Sequence, residues 1–168
     1  MVKVFLVRHA DADADIPEGL GDEARTLTSK SRAVIAQHFA QLKERLDGPD
    51  VIFTSPLARC VQTAQILAHA IGYEGPLKSH RALLPDGPSG SIDALLREQP
   101  DKTLILVGHQ PSMGAITSHL LGMQNFPKSF NPGTVLCLEL VEPTAPGGPF
   151  TGKLVFFAQP GQGVLETL

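Results

Sequence analysis

Short apolar runs alternate with amphipathic stretches along most of the chain. Residues 2–7 (VKVFLV) are β-branched and apolar and stop abruptly at polar residues, which predicts a buried strand. Residues 11–26 are polar, carry Pro17, Gly19 and Gly21, and read as a loop. Thr28 fits a helix N-cap. After it, Ala33, Val34, Phe39, Ala40, Leu42 and Leu46 recur at helical spacing, predicting a helix over 29–46 that Gly48 and Pro49 end. Residues 51–53 (VIF) predict a second strand, and Pro56 opens a helix to about Ile71, closed by Gly72. A weak strand at 77–80, a Pro/Gly-rich loop at 81–91 and a short helix at 91–98 follow. Residues 103–107 (TLILV) predict the strongest strand, and Pro111 starts a helix to about Leu121. Two late strands, 134–141 and 153–158, flank a loop holding Pro143, Pro146, Gly147, Gly148 and Pro149.

Alternating strands and helices imply an α/β three-layer sandwich with a mainly parallel central sheet flanked by helices. With 168 residues, no internal repeat and no linker, the expectation is a single domain over 1–168. Hydrophobic residues at 42% supply a core, and 16 glycines with 14 prolines make loops prominent. Net charge is −3, so nothing suggests a surface that tracks nucleic-acid phosphates. No run approaches the ~18 apolar residues of a membrane span, and the first residues lack a signal peptide's pattern. The expectation is a soluble cytoplasmic protein with no membrane partner. Cys60 and Cys137 form no CxxC pair and read as small core residues.

In sheets of this kind ligands bind beyond the carboxyl ends of the strands. There the sequence delivers Arg8 and His9 after the first strand, Ser55 and Arg59 after the second, and His109 after the strong strand. Guanidinium forks match phosphate oxygens. A neutral histidine with one free ring nitrogen can attack phosphorus while its other nitrogen donates to a fixed acceptor. A second histidine can bind the equatorial oxygens. The helix starts after Pro56 and Pro111 would add N–H donors. The cationic side chains do the neutralising, so neither metal nor other cofactor is expected.

Val7-Arg8-His9-Ala10, the run from Thr54 to Ala64 (TSPLARCVQTA) and Val107-Gly108-His109-Gln110-Pro111 resemble the three signatures of the histidine phosphatase superfamily. The short chain and Arg25-Thr26-Leu27-Thr28 are similar to its SixA-type phosphohistidine phosphatase branch. The resemblance covers residues 2 to about 122 and implies a phosphoglycerate mutase-like fold. It implies His9 as nucleophile through a phosphohistidine intermediate, Arg8, Arg59 and His109 as the rest of the phosphate pocket, and Arg25 as support. Ala10 and Ser31 stand where many relatives have Gly. The wider superfamily places an acid after the third strand, where Asp86 is the one carboxylate in Leu83-Leu84-Pro85-Asp86-Gly87. A weak or absent acid favours P–N over P–O substrates, because a departing imidazole can carry its own proton and an alkoxide cannot.

The 50 residues between Arg59 and His109 already hold a helix, a loop and a strand, which leaves little for a lid. An open site suits a protein substrate: a phosphohistidine-bearing phosphotransfer domain or phosphocarrier. Two alternatives stand beside the phosphohistidine phosphatase reading, a general phosphomonoesterase with Asp86 as acid and a non-catalytic phosphohistidine-binding module. Other readings fail on spacing. Asp11, Asp13, Asp15 and Asp22 suggest a calcium loop, but Ile16 stands where Gly is needed. Cys60 lacks an Arg six positions on, and Ser89 fails the nucleophile-elbow pattern at its last glycine. His38, His69, His80 and His119 read as helix-face or loop residues.

Overall fold

The computed structural model describes residues 2–88 and 90–168; Ser89, considered above, lies outside them. Six strands form one sheet. In chain order they are β1 (Val2–Arg8), β2 (Val51–Thr54), β3 (Leu77–Ser79), β4 (Leu104–Gly108), β5 (Val135–Val141) and β6 (Thr151–Ala158). Their spatial order is β3-β2-β4-β1-β5-β6. The first four run parallel, while β5 and β6 are antiparallel additions at one edge. The sheet is therefore mixed, with the parallel part at the centre and one flank.

Strand β1 explains the three layers. Its side chains alternate between faces, and Val4, Phe5, Leu6 and Val7 are all buried. Val4 and Leu6 join one core with Leu104 and Leu106, and Phe5 and Val7 join the other with Ile105 and Val107. A strand buried on both faces reads as a continuous apolar run, which is the pattern of residues 4–7 and 104–107. Helices α1 (Ser29–Gln41) and α2 (Ala58–Ile71) cover the second core through Ile35, Phe39, Ala64 and Leu67. Helices α3 (Ser91–Glu98) and α4 (Ser112–Leu121) cover the first through Ile92, Leu95, Met113 and Ile116. Each such buried Leu, Ile, Phe or Met side chain contributes about 1.5–3 kcal/mol over its exposed state.

Several boundaries differ from the sequence reading. Helix α1 stops at Gln41, because the next carbonyl–amide bonds tighten into i→i+3 turns such as Arg45 N to Leu42 O (2.9 Å). Leu42 and Leu46 stay buried in those turns, so apolar spacing alone could not reveal the change. Helix α2 starts at Ala58, two residues after Pro56, with Leu57 as N-cap, and α4 starts at Ser112 with Pro111 as N-cap. Thr28 caps α1 as expected, accepting from Ser31 N at 3.0 Å. Gly72 closes α2 in the left-handed conformation. His119 does more than face a helix surface, since its Nε2 lies 2.8 Å from Asp93 Oδ2.

The loop at 142–150 roofs an open cleft of about 450 Å3 lined by Val2, Leu96, Leu104, Leu140, Pro143 and Phe150. Arg97 donates to Gly147 O (3.3 Å) and Phe150 packs on the first core. This cleft lies at the amino ends of β1 and β4.

Candidate functional site

Backbone hydrogen bonds tie the carboxyl ends of the three adjacent strands β2, β4 and β1 into one platform. His9 N donates to Gly108 O (2.9 Å), Ser55 N to Val107 O (2.9 Å) and Arg8 N to Thr134 O (3.0 Å). Arg8 is level with Gly108 in the register and Thr54 with Val107, so His9, Ser55 and His109 emerge side by side. The His9 and His109 rings approach to 5.1 Å between centroids at 67°.

His9 is held by its own neighbour. Its Nδ1–H donates to Ala10 O (2.6 Å), which leaves Nε2 as the ring's free nitrogen. Ala10 N donates in turn to Thr63 Oγ1 (3.1 Å), and the Thr63 hydroxyl donates to Arg59 O (2.8 Å), locking the Ala10 peptide to α2. Burial, reinforced by the charges of Arg59, Arg8 and Arg25, lowers His9 to about 4, against the backbone bond to Ala10. The ring is neutral near pH 7.

His109 is fully enclosed. Its Nε2 lies 2.8 Å from Ser55 Oγ and 3.3 Å from Cys60 Sγ. Ser55 Oγ also accepts a long bond from Leu57 N (3.4 Å). Both contacts are satisfied when the Ser55 O–H donates to Nε2 and the His109 proton sits on Nδ1. Burial first, then the charges of His9 and Arg59, lower His109 to about 3. Burial pushes the Cys60 thiol up to about 12, so it remains a thiol beside the ring.

Arg8 donates through Nη1 to Phe130 O (2.7 Å), and its Nε is buried without a partner. Gly133 packs against the Arg8 main chain. It adopts φ +84°, its N donates to Arg8 O (3.1 Å), and a Cβ there would meet Ile35 Cγ2 at 2.9 Å. Arg59, buried on α2, donates from Nη1 to Asp22 O and from Nη2 to Asp22 Oδ2, both at 3.1 Å, and its Nε is likewise buried and unpartnered. Two buried guanidinium N–H groups with no acceptor are costly unless an oxyanion meets them. Arg25 reaches the same neighbourhood, donating from Nε to Asp22 Oδ1 (2.8 Å) and from Nη1 to Asp13 O (3.2 Å). The loop that carries it is pinned at its base by Asp13 N to Thr26 O (2.7 Å), Leu27 N to Gln62 Oε1 (2.9 Å) and Ser31 Oγ to Asp11 O (2.6 Å). Ser31, the departure from Gly, therefore fastens the loop.

The structure thus groups His9 with His109 and links Arg25 to Arg59. Asp86 is exposed and makes no hydrogen bond or ion pair to these side chains among the described residues. The contacts of Asp22, Thr63, Cys60 and Ser55 in this site carry no signal in the sequence, where Asp22 suggests only a calcium loop, Cys60 reads as a small core residue and Ser55 as the residue after β2. No group of three or more His, Cys, Asp or Glu in metal-holding arrangement occurs among the described residues.

Two neutral imidazoles, one with a free Nε2, lie beside the arginines at the carboxyl ends of parallel strands, a set of groups chemically suited to a tetrahedral oxyanion. Fold and site together define an α/β protein of the phosphoglycerate mutase-like type. The family profile "Histidine phosphatase superfamily (branch 1)" matches residues 4–83. The chain is 30% identical over 146 residues to a phosphohistidine phosphatase SixA homolog of Haemophilus influenzae, covering 80% of this chain and 85% of that protein. It is 38% identical over 119 residues to an uncharacterized protein of Picosynechococcus, covering 67% of this chain and 69% of that one. The solved structure of a protein histidine phosphatase SixA complexed with tungstate superposes with a TM-score of 0.82 at 22% identity, covering 95% of this chain and 97% of that chain. The chain belongs to the histidine phosphatase superfamily, in its SixA-like branch. No helix among the described residues is long and apolar enough to cross a membrane.

Proposed function

We propose that the protein is a phosphohistidine phosphatase acting on a phosphohistidine-bearing protein, a phosphotransfer domain or a phosphocarrier, without a metal. The observation that carries this reading is the His9 ring: neutral, fixed through Nδ1–H to Ala10 O, with Nε2 free beside His109. In the first step His9 Nε2 attacks phosphorus. The bond from phosphorus to the substrate imidazole breaks, and that imidazole leaves with the electron pair and a proton. Arg8, Arg59 and His109 hold the three oxygens as charge spreads onto them, with Arg25 in support. Water then attacks phosphorus, the bond to His9 breaks, and phosphate leaves carrying the water's oxygen.

The choice of a P–N substrate rests on the missing acid. Asp86 is unconnected to the pocket side chains, and Asp22, the carboxylate that does touch them, is held below the usual carboxylate range by Arg59 and Arg25. A carboxylate kept ionised does not protonate an alkoxide, whereas a departing imidazole needs no such help.

The test is dephosphorylation of candidate phosphohistidine proteins by the wild type and by His9→Ala. Phosphate release with an acid-labile label on His9, both lost in the variant, is the expected result. Saturable binding without release would instead make the protein a binding module. Comparable turnover of a simple phosphomonoester would remove the P–N preference.

A further inference from the structure

Asp22 makes more contacts with the arginines than any role assigned so far requires. Its main-chain carbonyl accepts from Arg25 N and from Arg59 Nη1, both at 3.1 Å. Its two carboxylate oxygens divide between the guanidinium groups, Oδ1 on Arg25 Nε (2.8 Å) and Oδ2 on Arg59 Nη2 (3.1 Å). Arg59 lies 37 residues further along the chain, on α2, so the contact ties the loop to the helix. We infer that Asp22 is a positioning residue that braces Arg25 and Arg59 for the phosphoryl group.

The geometry of the Arg59 fork separates this role from that of an occupant competing with substrate. A guanidinium presents two bidentate edges, one formed by its terminal nitrogens and one that includes Nε. Asp22 takes the terminal edge, through Nη1 and Nη2. The Nε of Arg59 stays buried and unpartnered, and it belongs to the other edge. Asp22 and a phosphoryl oxygen therefore need not compete for the same Arg59 donors. The brace also solves an electrostatic problem. Two guanidinium groups converging on one anion repel each other when it is absent, and a fixed carboxylate between them holds both in place. The side chain of Asp22 is 58% exposed while that of Arg59 is 7% exposed, so changing Asp22 leaves the core untouched.

The inference rests on the proposal that these arginines hold a phosphoryl group, and tungstate tests it without relying on turnover. In Asp22→Asn, tungstate should bind about tenfold more weakly, and KM for a phosphohistidine protein should rise in step while kcat changes less. The melting temperature should move by no more than about 2 °C. In Asp22→Asn/Arg25→Gln the tungstate losses should be less than additive, because one bridge is broken twice. Tungstate bound by Asp22→Asn as tightly as by the wild type, or more tightly, overturns the brace; tighter binding would make Asp22 a competitor. Additive losses in the double variant overturn it as well. A wild type whose tungstate binding weakens in Asp22→Asn but that releases no phosphate from phosphohistidine overturns the function and leaves the brace standing. A wild type that binds no tungstate overturns both.

Discussion

The two ends of the parallel strands make opposite use of concavity. At the amino ends, the cleft under the loop at 142–150 is roomy and lined mainly by apolar side chains, and its arginine, Arg97, is spent on Gly147 O. At the carboxyl ends, two neutral histidines converge with Arg59, which is buried, and Arg8, which is half-buried, each with an unpartnered Nε. The first end offers an apolar hollow, and the second gathers histidines and arginines whose Nε atoms have no partner. The second is the better guide to chemistry, because it collects two neutral imidazoles and two arginines with unpartnered Nε atoms at one edge of the sheet. An apolar cleft needs only a loop that packs over a sheet edge.

The comparison breaks first at His9. His9→Ala should lower phosphohistidine turnover by about a thousandfold or more, measured as phosphate release at saturating substrate. A much smaller loss would move the chemistry away from this end of the sheet. Arg59→Met should come next, lowering kcat/KM by about a hundredfold, because it removes a cation from the oxyanion pocket and leaves Asp22 without its buried partner.

Acid should register at the carboxyl end as well. His9 and His109 titrate at about 4 and about 3 in the folded protein and near 6.5 in the unfolded chain. Between these limits the unfolded chain binds more protons, so stability is full above about pH 6.5 and falls as pH drops toward 4. Urea unfolding at stepped pH should show this slope, and His9→Gln/His109→Gln should flatten it. For the same reason the acid limb of kcat/KM should lie well below pH 6.5, as a property of the coupled pair.

The smallest effect belongs to the amino end. Phe150→Ala should cost about 1–3 kcal/mol of stability and leave turnover per folded molecule within about twofold. A large loss of activity with intact folding would show that this cleft communicates with the pocket.

The sequence on its own determined the layers and the strand ends at which the candidate site residues lie. Short β-branched apolar runs at 4–7 and 104–107, bounded by polar residues, read as strands buried on both faces, and Arg8-His9, Arg59 one turn into the next helix, and His109 come at or after strand ends, so the rule of strand ends collects them. Where α1 ends and where α2 and α4 begin were less legible, because Leu42 and Leu46 are buried whether the backbone is helical or turned. Nor could spacing reveal that β5 and β6 run antiparallel, since apolar strands read alike in both directions. Only the tertiary structure decided the partners of the pocket: Ala10 O for His9, Ser55 and Cys60 for His109, and Asp22 for the arginines. The physical reason is that a hydrogen bond between Asp22 and Arg59, 37 residues apart, depends on a loop folding back across α2. A local pattern carries the periodicity of an element, but the direction and length of such a contact are set by the packing of everything between.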